Sequence, residues 1–166
     1  MAYLPHTPRN FRELVLADLL RAQRLIECID DEIDPQFRIS SPEGDWRIAM
    51  TLAEDLHKRQ RQMHLISRFM QWKLSPAFTL ATELKEPDTV CCVGVSHREC
   101  HGVLSHISRK PLQFSRESWL TRDQIGDDVP AMLPGGAAVI DASTLAELDA
   151  WFGACGKFPA MKIGND

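Results

Sequence analysis

Apolar residues recur at intervals of three and four along residues 10–33, which is the spacing of one face of an α-helix. The positions on this face are Phe11, Val15, Leu19, Ala22, Ile26, Ile29 and Ile33. Asn10 followed by Glu13 is typical of a capping box at the start of a helix. Asp34-Pro35 ends the pattern. The sequence therefore predicts a first helix here, followed by a connecting loop.

A second helical pattern runs over residues 42–74, where Ser75-Pro76 ends it. Its last turns are apolar on two sides, and the second side carries Leu65, Phe69 and Trp72. One side is expected to pack on the first helix as an antiparallel hairpin. Because a lone hairpin buries too little apolar surface, the other side needs the rest of the chain or a second subunit. We therefore assign Leu65, Phe69 and Trp72 to self-association and expect a homodimer.

From residue 88 onward, short β-rich runs alternate with helical patterns. The predicted strands are 89–95, Leu112–Phe114, 137–140 and 158–163, and the predicted helices are 96–109 and 144–152. Ser96 with Glu99, and Thr144 with Glu147, fit capping boxes. The resulting order is βαβ, an insertion over 115–136, then βαβ, which is compatible with a small α/β sandwich of the ferredoxin-like kind.

The predicted fold class is therefore α+β, with a helical hairpin and connecting segment over 1–86 and a small α/β module over 87–166. A chain of 166 residues with 44% hydrophobic and 25% charged residues has the composition of a globular protein, which excludes intrinsic disorder. The net charge of -4 gives no global attraction to polyphosphate, so we do not expect nucleic-acid binding.

Neither a signal peptide nor a membrane-spanning stretch of 18 apolar residues is visible, and we expect a cytoplasmic protein without a membrane partner. The chain has five cysteines at irregular spacing, without a C-x-x-C pair. An odd, irregular set is not a disulfide framework, so we interpret the cysteines as reduced thiols.

Cysteine and histidine are concentrated between residues 91 and 106, at Cys91, Cys92, His97, Cys100, His101 and His106. His97 and His101 are four residues apart on a predicted helix, which is how two zinc ligands share one helix face. Cys92 is the candidate for a third ligand. The alternative is that the cysteines are core residues of an apolar strand, and that the histidines are surface residues. No cofactor is expected on this second interpretation.

The same segment reads Cys92-Val93-Gly94-Val95-Ser96-His97-Arg98, which has C-x5-R spacing between a predicted strand and a predicted helix start. Backbone N–H groups at such a helix start hold an oxyanion and lower the pKa of a thiol. The segment resembles the phosphate loop of cysteine-dependent tyrosine phosphatases. The resemblance, which covers about eight residues, implies Cys92 as the nucleophile and Arg98 as the phosphate ligand, although Glu99 stands where those enzymes usually carry Ser or Thr.

Basic residues on the second predicted helix form a stripe of His57, Arg61, His64 and Arg68. No acidic residue occurs between Leu56 and Thr82. Such a stripe is suited to binding a small anionic ligand or an acidic protein. The alternative is an ordinary solvated helix face.

No complete catalytic set is present, and we lean against an enzyme. The leading hypothesis is a non-enzymatic regulatory or adaptor protein that self-associates through the helical hairpin and binds a partner or small ligand with its α/β module. The alternative is a thiol- or metal-dependent enzyme centred on Cys92, His97 and Arg98, with zinc as its metal.

Overall fold

A computed structural model describes residues 8–29, 31–135, 140–152 and 157–158. The helices are α1 (Phe11–Ile29), α2 (Leu56–Trp72), α3 (Arg122–Ile125) and α4 (Ala142–Phe152), and Pro130–Met132 forms a 3-10 turn. The strands are β1 (Gln36–Ser41), β2 (Gly44–Ala49), β3 (Ala77–Leu84), β4 (Thr89–Ser96), β5 (Cys100–Arg109), β6 (Leu112–Phe114), β7 (Ser118–Trp119) and β8 (Lys157–Phe158). The fold class is therefore α+β, as predicted.

The described strands form one antiparallel sheet in the order β6-β5-β4-β3-β1-β2-β8, with β7 paired to β5. The predicted boundary between residues 86 and 87 falls in the turn that joins β3 to β4. These two strands pair from Ala77 opposite Ser96 to Leu84 opposite Thr89. Both predicted parts of the chain thus contribute strands to the same sheet.

Each face of the sheet is covered by one long helix. The apolar stripe of α1, which includes Val15, Leu19 and Ile26, packs on a cluster with Cys92 and Val103. On the opposite face, α2 packs through its own buried residues on a second, larger core. The main members of that core are Phe37, Ile39, Ile48, Leu65, Ile66, Phe69, Met70, Phe78 and Val95. The two long helices are thus separated by the sheet.

The predicted helical hairpin is wrong, because β1 and β2 occupy the segment between the two helices. Phe37 and Ile39 alternate with Arg38, and this period of two is typical of a strand. The strands are joined by a short turn in which Gly44 adopts a φ of 142°, a conformation that favours glycine. The helix predicted from residue 42 begins instead at Leu56, because the Asp55 side chain accepts a 2.9 Å hydrogen bond from the backbone N–H of Lys58.

The helix predicted over 96–109 is also wrong, since this segment forms the β4–β5 turn and β5. Ser96 and Glu99 do interact: Ser96 Oγ accepts from the Glu99 N–H at 3.0 Å, and the Ser96 N–H donates to the Glu99 carbonyl at 2.9 Å. That second bond closes a hairpin, so a capping-box sequence was mistaken for a helix start. The βαβ unit of a ferredoxin-like arrangement is therefore replaced by an antiparallel β-hairpin.

The described part of the predicted insertion, residues 115–135, contains β7, α3 and the 3-10 turn, and it packs on the sheet rather than forming an open loop. Ile125, Val129 and Leu133 contact the core on the α2 face. The prediction of α4 is confirmed, although its first turn is capped by Asp141, which accepts from the Thr144 N–H at 2.7 Å. The strand predicted over 137–140 lies outside the described residues except for Ile140, and the predicted 158–163 strand lies outside them except for Phe158.

Among the described residues, no helix combines the length and hydropathy that are needed to cross a bilayer.

The absence of a side chain at Gly94 lets α1 approach the centre of the sheet. A Cβ atom added there would overlap Val15 Cγ2 and would lie 3.1 Å from the Phe11 ring. We expect Gly94→Ala to lower the free energy of unfolding by about 1–3 kcal/mol, because α1 must move outward. Urea denaturation measures this loss. Gly135→Ala is the control, since an added Cβ at Gly135 meets no atom within 4 Å; equal effects of the two substitutions would contradict the close approach.

Candidate functional site

The structure separates the two residues of the C-x5-R hypothesis. Cys92 lies within β4, where its side chain is fully buried beneath α1, whereas Arg98 is exposed in the β4–β5 turn. The five residues from Cys92 to Ser96 are extended, so these two residues lie about 13 Å apart. Burial raises the pKa of the Cys92 thiol well above its usual range, and the nearby Asp18 carboxylate raises it further. A phosphate loop needs the opposite, an accessible thiolate at a helix start.

The candidate zinc ligands are dispersed in the same way. His97 is exposed in the turn, and His101 lies on β5, where its Nε2 is 3.2 Å from Glu99 Oε1 and its ring contacts Phe11 and Trp119. Cys92 is buried beneath α1. Within the described ranges, no group of three or more His, Cys, Asp or Glu side chains is arranged to hold a metal ion. His97 and Arg98 instead line an open surface depression together with Cys100 and Arg122.

The predicted basic stripe does lie on one face of α2. His57, Arg61 and His64 are exposed, and Arg68 is half-buried. Arg61 forms an ion pair with Glu147 of α4, and Arg68 donates a 2.8 Å hydrogen bond to Gln71. The structure thus brings the residues predicted to bind an anion or a partner together on the outer surface.

The residues predicted to mediate self-association do not form an exposed surface like that of the basic stripe. Leu65 and Phe69 are each only 1% exposed, because they face the sheet within the same chain. Trp72 is half-buried at the end of α2. Leu65 and Phe69 are therefore core residues of the protomer rather than an exposed face for a second subunit. The sequence shows two apolar sides at the end of α2, but the sheet and the 3-10 turn beside α2 account for both.

A cleft between α1 and the β1–β2–β3 part of the sheet is a concave site lined by described residues. Its cavity volume is about 50 Å³. The lining residues are Asp18, Arg21, Ala22, Leu25, Gln36, Phe37, Arg38, Arg47, Thr79 and Ala81. The cleft thus combines apolar walls with charged groups, which is the usual composition of a small-molecule site.

A buried ion network forms the floor of this cleft. Arg38 is 4% exposed and donates from Nε and Nη2 to both oxygens of Asp18, at 2.7 and 2.6 Å. Its Nη1 donates to Asp45 at 3.0 Å, and Thr79 Oγ1 donates to Asp18 at 2.7 Å. Burial alone would lower the pKa of Arg38, but the bonds and charges of Asp18 and Asp45 outweigh this effect and raise the pKa. The guanidinium is therefore permanently charged and fixed in orientation.

Arg47 and Arg21 place further positive charge around this floor. Arg47 is directly opposite Arg38 in the β1–β2 register and is half-buried, and Arg21 lies exposed on α1. Together with the network, the cleft holds three arginines and two aspartates, which leaves one net positive charge. Both Asp18 oxygens already accept hydrogen bonds within the network. The groups that the rim of the cleft offers to a ligand are therefore the N–H donors of the guanidinium groups.

Sequence reasoning missed the cleft, because residues 36–41 were assigned to a loop. Two signals were present. Asp18 lies on the otherwise apolar stripe of α1, between Val15 and Leu19, and Arg38 stands between two residues of a strand-like alternation. When each of two buried patterns contains one charged residue, the two charged residues are expected to pair where the helix packs on the strand.

Comparison of the chain with protein-family models, with curated proteins and with solved structures finds no match. We therefore infer a function from the geometry of the site alone.

We expect Asp18→Ala to lower the free energy of unfolding by about 3–5 kcal/mol, because it removes two acceptors from a buried guanidinium. Urea denaturation followed by circular dichroism measures the loss. Glu13→Ala is the matched control on the same helix, since Glu13 pairs with the exposed Arg9 and should contribute less than about 1 kcal/mol. If the two variants were equally stable, the network would not fasten α1 to the sheet.

Thiol labelling of the native protein tests the position of Cys92. We expect iodoacetamide at pH 8 to modify the exposed Cys28 rapidly and to leave Cys92 unmodified, because burial both shields that thiol and raises its pKa. Cys91 should react slowly, since burial raises its pKa to about 11. Peptide mass spectrometry identifies the modified residues, with the protein unfolded in guanidinium as the positive control. Fast labelling of Cys92 below pH 7 would instead favour the thiol-enzyme alternative.

Proposed function

We propose that the protein is a non-enzymatic binding protein, of the regulatory or adaptor kind, whose ligand is a small organic anion held in the cleft between α1 and the β1–β2–β3 strands. The observation that carries this proposal is the buried Arg38 network with Arg47 and Arg21 beside it. Fixed guanidinium groups recognise carboxylates well, because their planar donors match the two oxygens.

The walls of the cleft favour an anion that also has an apolar part. Ala22 and Leu25 of α1 and Ala81 of β3 give the cleft its apolar lining, whereas Arg38 and Arg47 come from β1 and β2. A ligand with a carboxylate at one end and a short hydrocarbon or ring at the other would satisfy both regions. An inorganic anion would leave the apolar walls uncovered.

The absence of a nucleophile in the cleft supports binding rather than catalysis as its role. Thr79 carries the one hydroxyl among the residues that line the cleft, and that hydroxyl donates a hydrogen bond to Asp18. A nucleophilic hydroxyl would need a base that accepts its proton, whereas the Asp18 oxygens are held by Arg38.

The other hypotheses from the sequence remain predictions. These are a homodimer, a cytoplasmic location, and an acidic protein as partner. The basic stripe on the outer face of α2 supports the last of these, because His57 and His64 are exposed there beside Arg61.

Binding of hexanoate and benzoate, compared with their neutral amides, tests the proposal. In ¹H–¹⁵N spectra we expect both carboxylates to shift amide signals of α1, β1 and β2, and hexanamide and benzamide to leave them in place. Arg21→Gln should weaken carboxylate binding about tenfold, since a charge-assisted hydrogen bond contributes about 1.5 kcal/mol. Arg98→Gln removes an exposed arginine outside the cleft and should have no effect.

Two outcomes would exclude an organic-anion site. In the first, neither carboxylate shifts these amide signals at millimolar concentration. In the second, the neutral amides bind as tightly as the carboxylates, which would show that the cleft recognises apolar groups without regard to charge.

A further inference from the structure

Three aromatic rings surround the ammonium group of Lys73 on the α2 face of the sheet. The Lys73 Nζ atom lies 3.7 Å from the centre of the Trp72 ring, 4.8 Å from that of Trp46 and 6.0 Å from that of Phe69. A cation within about 6 Å of a ring centre is attracted by the negative face of the ring. We refer to Trp46, Phe69 and Trp72 as the aromatic cage.

The cage is held rigidly by regular secondary structure. Trp46 comes from β2, and Phe69 and Trp72 come from the last turn of α2. The ring of Phe69 packs edge-on against both indoles, with centroids 5.4 Å from Trp46 and 5.9 Å from Trp72. Phe69 is buried and forms the floor, whereas the two indoles are half-buried and form walls that reach the surface.

Lys73 occupies this cage through its own flexible side chain. It is the residue that follows α2, and its backbone N–H bonds to the Phe69 and Gln71 carbonyls. In the part of the chain that the structure describes, no carboxylate forms an ion pair with its ammonium. Among the described residues, the aromatic rings are therefore its main attraction, and the half-exposed side chain can return to water without breaking a salt bridge to any of them.

We propose that the aromatic cage is a binding site for a quaternary ammonium group, which Lys73 occludes until the ligand displaces it. A primary ammonium is a strongly hydrated charge whose N–H donors find no hydrogen-bond acceptor of comparable strength among aromatic carbons. A trimethylammonium group has no N–H donors, and its methyl groups fit the aromatic surface, which is why such cages recognise it. The site is separate from the anion cleft, because the two lie on opposite faces of the sheet.

Indole N–H signals in ¹H–¹⁵N spectra report binding directly, and Trp46→Phe and Trp72→Phe variants assign them. We expect choline to shift the Trp46 and Trp72 signals. The uncharged isostere 3,3-dimethyl-1-butanol should not shift them, because it lacks the charge. Trp119 is an internal reference, since its ring is covered by the Arg12 guanidinium at 3.8 Å.

Lys73→Ala empties the cage and should strengthen choline binding about tenfold, because no internal cation then competes. Lys85→Ala is the matched control: Lys85 is an exposed lysine that pairs with Glu32, and its loss should leave choline affinity unchanged. A trimethyllysine peptide is titrated in parallel with choline. Tighter binding of the peptide indicates a ligand carried by a protein, and tighter binding of choline indicates a free small molecule.

The proposal is overturned if choline and the peptide shift neither indole in the wild type and in Lys73→Ala. It is also overturned if the neutral isostere binds as well as choline, or if Lys73→Ala binds choline no more tightly than the wild type does.

Discussion

The bidentate ion pair between Arg38 and Asp18 is the contact on which the arrangement of this molecule depends. It joins the middle of β1 to the middle of α1 and, through Asp45 and Thr79, ties in β2 and β3 as well. A buried guanidinium with one partner missing is unfavourable by several kcal/mol, so few alternative packings of α1 satisfy it. Apolar contacts of α1 determine that it lies on the sheet, and the ion pair determines where.

The two faces of the sheet differ because this ion pair lies on the face that α1 covers. The α2 face is filled by large apolar side chains such as Phe37, Phe69 and Phe78. On the α1 face, the helix lies over β3, β4 and β5, where Gly94 permits close approach. That position leaves β1 and β2 beside the helix rather than beneath it. The cleft is thus a consequence of where α1 is fastened.

The sequence predicted the elements whose patterns were long and unambiguous. Helix α1, the end of α2 and α4 follow from spacing and caps, and the α+β class follows from the mixture of periods. The segment around Arg38 was missed because two short strands with a Pro-Glu-Gly turn resemble a loop followed by a helix start. Ser96 and Glu99 misled for a related reason, since the same hydrogen bond to a Ser Oγ begins a helix or closes a tight hairpin. Only the pairing of β5 with β4, which runs from Val95 opposite Cys100 to Thr89 opposite His106, distinguishes the two.

The cleft beside α1 and the aromatic cage both depend on the register of β2, where Asp45, Trp46 and Arg47 are consecutive. Successive side chains of a strand point to opposite faces, so Asp45 and Arg47 face α1 while Trp46 faces α2. A shift of one residue would place the indole on the α1 face and both charged groups in the apolar core. The bond from Arg38 to Asp45 holds β2 against that shift. The ion network that shapes the cleft on one face therefore also sets the position of Trp46 in the cage on the other.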